Sequence, residues 1–263
     1  MAEVYETERP RRRRGRALLT VVLVLLVLLL VGLVVLDRFG ASYAERVLAE
    51  RVTAEMAKQD STSGEPDVTI AGVPFLTQVL AGNYQEIRIE LPDFAAPTGT
   101  GETVRMPLLD IRAKDVRAPL DTVRSGQGDV VAGTVTGTGT VDYAQLAALV
   151  GRDGVELSEK DGKLVGSGPL AIPGQKSIRV YGTADLTVAD GVVRVRFSDV
   201  KAPDLPDAPI VQNLVARFAE RLAFDLAVPE LPMNLTLREV QALPEGLRIT
   251  AGAQNVNLSA AGV

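Results

Sequence analysis

Residues 17–36 read ALLTVVLVLLVLLLVGLVVL, twenty positions without a charge. No other feature restricts the chain as much. At 1.5 Å per residue a helix of that length spans roughly 30 Å, one hydrocarbon core. Six arginines and three glutamates precede it, a net charge of +3 over residues 1–16, and only Asp37 and Arg38 follow closely. The positive-inside rule then places the N-terminus in the cytoplasm and the bulk of the chain on the extracytoplasmic, periplasmic side. A cleaved signal peptide is the rival reading, with ASYA at 41–44 as its cleavage site. Its apolar stretch would normally run about 7–15 residues, shorter than this one. The expected organisation is a basic cytoplasmic tail (1–16), one transmembrane helix (17–36) and an extracytoplasmic domain (37–263) in the cell membrane.

Charge and composition narrow what that domain does. The whole chain carries −5, so residues beyond the basic tail carry −8. Cysteine and histidine are both absent, as is tryptophan. Ser-His-Asp and Cys-His catalysis are therefore excluded, and the usual zinc and haem ligands are missing. Neither a stacking platform nor a basic groove for nucleic acid is evident, so no nucleic-acid partner and no cofactor are expected.

The extracytoplasmic part opens with an amphipathic pattern over 41–58, where Ala44, Val47, Leu48, Val52 and Met56 share a stripe. After the polar break QDSTSGEP strands dominate. Ile178, Val180, Gly182, Ala184, Leu186 and Val188 alternate with polar residues, then the ADG hairpin signal leads to Val193, Val195 and Phe197. Ile87, Ile89 and Leu91 repeat the pattern. Such strands belong to an antiparallel sheet with one wet face. In GTVTGTGTV, Thr134, Thr136, Thr138 and Thr140 make one face, and Gly133, Val135, Gly137, Gly139 and Val141 the other. Those glycines imply a helix packed closely on a curved sheet, or space left for a ligand.

Short apolar helices interrupt the strands. PFLTQVLAG, APLDTVRSG and DYAQLAALVG each end in the glycine of a C-terminal cap. In the first, Phe75, Leu76, Val79 and Leu80 form an apolar set, read as core by default and otherwise as a pocket mouth or a membrane-touching element. A longer helix over 209–224 carries Val211, Leu214, Val215, Phe218 and Leu222 on one stripe. The expected fold is α+β: a long curved antiparallel sheet wrapped around helices, closed by strands NLTLREVQAL and GLRITAGAQNVNL.

Catalytic chemistry would have to come from carboxylates. Asp110, Asp115 and Asp121 are near in sequence, but alternation sets Asp110 opposite Asp115. Asp204 and Asp207 read as loop and helix-start residues, and Gly99 to Gly101 lacks the lysine and helix of a phosphate loop. The expectation is a protein that is not an enzyme.

The stretch IAGVPFLTQVLAGNYQEIRIELPDF and the ending VPELPMNLTLREVQALPEGLRITAGAQNVNL resemble the LmeA-like phospholipid-binding family of actinobacterial envelope proteins. The shared pattern is Gly72, Pro74, Phe75, Leu76, Thr77, Gln78, Leu80 and Gly82, with Leu231-Pro232 and the closing strands at the other end. The loop PELPMN departs from the aromatic-glycine element usual there. The resemblance covers roughly residues 41–260. It implies an exported phospholipid binder supporting assembly of envelope lipids or lipoglycans, with a fold like the tubular lipid-binding proteins and no catalytic residues. The nine apolar residues of the two helical stripes are the candidate lipid contacts. A structural adaptor for envelope biosynthesis proteins is the alternative, and an enzyme acting through paired acids the third.

Overall fold

A computed structural model describes residues 13–97, 103–125, 128–150, 154–170, 177–189, 192–202, 223–227 and 235–259. The chain enters through one helix, α1 (Arg13–Lys58). Its apolar part is long and hydrophobic enough to cross a membrane, and none of that part is buried against protein. The sequence suggests two helices, a span and a separate amphipathic segment over 41–58. The structure joins them, because no proline intervenes and a single glycine at Gly40 costs only about 1 kcal/mol of helix propensity.

Beyond α1 the described strands form two open antiparallel sheets, where the sequence pattern suggested one long curved sheet. The first contains β1 (Asp67–Ala71), β2 (Asn83–Pro97), β3 (Thr103–Arg117), β4 (Val131–Val141), β10 (Thr236–Leu243) and β11 (Gly246–Asn257). Its order is β1-β2-β3-β4-β11-β10. The second contains β5 (Glu156–Lys160), β6 (Lys163–Leu170), β7 (Ile178–Ala189), β8 (Val192–Lys201) and β9 (Phe224–Ala227), paired in chain order. Three short helices join strands: α2 (Phe75–Ala81), α3 (Leu120–Ser125) and α4 (Tyr143–Val150). The chain is thus α+β. The helix expected over 209–224 falls almost wholly outside the described residues, and Phe224 opens β9.

Hairpin chemistry sets much of the register. Asp161 and Gly162 both have positive φ (54° and 75°), which two-residue turns of right-handed twist require. They close β5 on β6 with Lys160 facing Lys163. Ala189 faces Val192, so the ADG signal also marks a hairpin. Gly166 and Gly182 are cross-strand partners, and the ring of Phe197 lies over both.

The six-stranded sheet has one polar and one apolar face. Glu86, Arg88, Glu90, Asp110, Arg112, Lys114 and the threonines of β4 point outward. Inward, the pairing places Val68, Ile89, Ile111, Gly137, Ala251 and Leu237 in one row across the six strands. At one level the alternation slips on four strands together. Buried Tyr84 is followed by inward Ile87, Ala113 by Val116, Ala132 by Val135, and Ala253 by Val256, each three residues apart instead of two. The residues left in the slip are Gln85, Asp115, Gly133 and Asn255. Each of the four strands gains one residue at the same level, so these neighbours remain in register while the sheet bends.

Two cores result. One gathers Phe75, Tyr84, Val116, Ala132, Val135 and Val256 with Ala41, Ala44 and Leu48 of α1. The other joins the far end of the six-stranded sheet (Val141, Leu237, Leu247) to the second sheet (Leu164, Ala184, Val193, Val195).

Candidate functional site

The helix α2 stands where α1 leaves its apolar run. Its N-cap position is Pro74, which offers no side-chain acceptor. The free amides at this end find one elsewhere: the backbone N–H of Leu76 donates to Oδ1 of Asp37 at 2.8 Å. Asp37 is the first charge after the apolar run and is almost fully buried. The amide of Leu76, with a smaller contribution from that of Phe75, holds its carboxyl below the usual value of 3.8, against the opposing effect of desolvation.

Further contacts fix the same junction. Gly40 lies against the ring of Phe75, where an added Cβ would come within 3.4 Å. Ala41 beside it and Ala44 one turn on keep α1 close to the sheet. Glu45 accepts the amide of Ile70 at 2.9 Å, which satisfies an outward N–H of the edge strand β1. Inside α2, buried Gln78 donates to the carbonyl of Ala71 at 3.2 Å and accepts from the amide of Gln85 at 2.9 Å. It ties the end of β1 to the start of β2. Gly82 ends the helix in the left-handed region with φ 64°, as its position in the sequence suggested.

The four apolar residues of α2 take different surroundings. Phe75 is buried, its ring centroid 6.4 Å from that of Tyr84, whose hydroxyl is pushed up by burial. Leu76 and Val79 are half-buried against the same core. Leu80 turns away and is 78% exposed, as is Val73 at 67%. The other five candidates, Val211, Leu214, Val215, Phe218 and Leu222, lie outside the described residues. Asp37, Gly40, Glu45 and Gln78 complete the junction; of these only Gln78 belonged to the pattern quoted from the sequence, and none was a candidate site residue. A lone carboxylate directly after a membrane-length run was the available signal for the first.

From α2 the apolar inner face runs the length of β2, from Tyr84 to Phe94. At roughly 3.3 Å per residue that is about 30 Å, twice the hydrocarbon depth of one leaflet. Among the described residues no charged side chain enters it: successive rows are Ile87-Ala113-Val135-Ala253, Ile89-Ile111-Gly137-Ala251 and Leu91-Leu109-Gly139-Ile249. The two central glycines differ. Over Gly139 lies the side chain of Met106, with Leu109 at 3.5 Å, so its close neighbour is a side chain from β3 where a helix was expected. Among the described residues Gly137 faces open space, with nothing within 4 Å of an added Cβ.

On the opposite, polar face a groove of about 720 Å³ is lined by Asp110, Arg112, Lys114, Thr136, Thr138 and Arg248, among others. Its cations are paired in salt bridges, Arg112 to Asp110 at 2.6 Å, Lys114 to Glu86 at 3.8 Å and Arg248 to Glu245 at 3.6 Å. An acyl chain laid there would desolvate these ions without compensation. Asp110 is thus held by Arg112, while Asp115 sits in the slip of the sheet with φ 53° and Asp121 in the first turn of α3. Among the described residues no group of three metal-ligating side chains comes together.

A charge-free apolar floor beside a membrane-length helix is the form of a lipid-binding protein. The family model of LmeA-like phospholipid-binding proteins matches residues 35–252, most of the chain, and the chain belongs to that family. No curated protein and no solved structure matches it.

Proposed function

We propose that this protein binds a phospholipid on the inner face of its six-stranded sheet while α1 anchors it in the membrane that supplies the lipid. The observation that carries the reading is the uninterrupted apolar floor that begins at α2 and has open space at Gly137. Leu76 and Val79 form its mouth and Phe75 the support beneath. The stripe Val211, Leu214, Val215, Phe218 and Leu222 supplies the other candidate lipid contacts.

The energetics suit carriage rather than capture. Each CH₂ gains about 0.8 kcal/mol on leaving water, but a lipid in a bilayer has that already. Moving it to an apolar floor is close to neutral, so shape and access decide. The basic N-terminal tail supports a cytoplasmic N-terminus with the sheets on the extracytoplasmic side. There the protein would handle phospholipid for envelope lipid or lipoglycan assembly, without catalysis. The adaptor reading draws on the exposed Val73 and Leu80, a surface a partner protein could cover.

The test is native mass spectrometry of the full chain after detergent exchange. Wild type is expected to retain phospholipid, and Gly137→Leu to lose it with an unchanged melting temperature. A wild-type chain free of lipid, or equal lipid on a folded Gly137→Leu, would remove the floor as the site.

A further inference from the structure

We propose that α2 and the turn before it make a second contact with the bilayer, with Val73 and Leu80 lying in the headgroup boundary beside α1. This rests on the reading of α1 as a membrane anchor. The height of α2 is set by the Asp37–Leu76 hydrogen bond. Asp37 directly follows Leu36, the last residue of the uncharged run. Leu80 lies four residues along α2 from Leu76, about 6 Å at 1.5 Å per residue. Whatever the tilt of α2, Leu80 stays within the interfacial layer that amphipathic segments enter by about 5–10 Å.

The chemistry of the exposed side agrees. Val73, Thr77 and Leu80 are exposed, and the helix carries no charge to desolvate. On α1, Phe39 and Tyr43 are 71% and 68% exposed, one turn apart and just beyond the apolar run, the placement of an aromatic belt. The neighbouring Arg38 is also exposed, within side-chain reach of lipid phosphates. The occupant of this surface is the bilayer itself, since α2 is bonded to α1 at the first residue beyond its uncharged run. The mouth at Leu76 and Val79 then opens at the lipid surface, and an acyl chain passes from bilayer to floor without crossing water.

The chain has no tryptophan, so single substitutions report depth directly. Leu80→Trp, Val73→Trp, Leu28→Trp in mid-span and Ser158→Trp on β5 would each be reconstituted as full chains in phosphatidylcholine vesicles carrying bromine on their acyl chains. The expected result is blue-shifted emission and several-fold stronger quenching at positions 80 and 73 than at 158, with position 28 quenched as well. Quenching at 28 but not at 80 or 73 overturns the docking and leaves the anchor standing. No quenching at 28 overturns the anchor and the docking together. A blue shift at 80 that grows with protein concentration without bromine quenching overturns it in favour of a second copy of the chain. Phospholipid retention in the mass-spectrometric experiment is read independently of all three.

Discussion

Asp115 of β3 and Asn255 of β11 stand at one level on either side of Gly133, and both backbones are left-handed, with φ of 53° and 51°. A left-handed conformation costs an ordinary L-residue roughly 1–2 kcal/mol, and Asp and Asn tolerate it best after glycine. Their tolerance of this backbone conformation lets the sheet bend here. Asn255→Val is expected to lower stability by about 1–2 kcal/mol, and Asn255→Gly to leave it unchanged or higher, in denaturant melts. Equal losses in both variants would mean that side-chain contacts govern the position.

The cap on α2 makes a pH prediction. Asp37 is held below its ordinary value of 3.8 by the Leu76 amide. A depressed carboxyl contributes stability that is complete above its unfolded value and lost as pH falls through the folded one. Hydrogen-exchange protection of the Leu76 amide should therefore be constant from neutral pH to about 5 and fall only below about 4. Asp37→Ala should remove that protection at neutral pH while leaving β7 and β8 protected. Protection unaffected by the substitution would show that packing alone holds α2.

Gly139 and Gly137 differ by two residues and should respond oppositely. Gly139→Leu meets Met106 and is expected to destabilise the sheet by about 1–3 kcal/mol, the usual range for overpacking. Met106→Ala in the same chain should restore part of the loss. Gly137→Leu has room and should melt like wild type. The comparison needs only thermal unfolding of three variants beside wild type.

Leu164 is almost wholly buried between the sheets, whereas Leu80 is exposed. Leu164→Ala should cost about 2–5 kcal/mol. Leu80→Asp should stay within about 0.5 kcal/mol in detergent yet weaken the membrane contact. A large stability loss at Leu80 would place it in a core.

Period-two alternation made the strands readable: the faces of β7 and β8 follow their sequence closely. Alternation failed where the sheet bends. GTVTGTGTV reads as one unbroken pattern, yet Gly133 lies in the slip and Ala132 takes the inward position beside Val135. Nothing local in β4 marks this, because the bend is shared with Asp115 and Asn255 on other strands. The same limit hid the junction at Asp37. A helix without its own cap is visible in Val73-Pro74-Phe75, but its acceptor lies 39 positions from Leu76 and is fixed only by tertiary packing. The division into two sheets was equally illegible, since edge strands and central strands share one pattern when a single face is buried.

The unbroken course of α1 has a mechanical consequence. Its 46 residues make a rod of about 70 Å, clamped to β1 and α2 on one side. With α1 anchored as proposed, tilt or rotation of its membrane-spanning half would be passed on as torque, and the sheets would keep one heading relative to the bilayer plane. Lipid would then enter from a single azimuth around the anchor, and any acceptor would approach from the sector the rod leaves free. Inserting a flexible linker after Lys58 would leave that heading intact, whereas glycines placed at 38 and 39 would let the sheets swing.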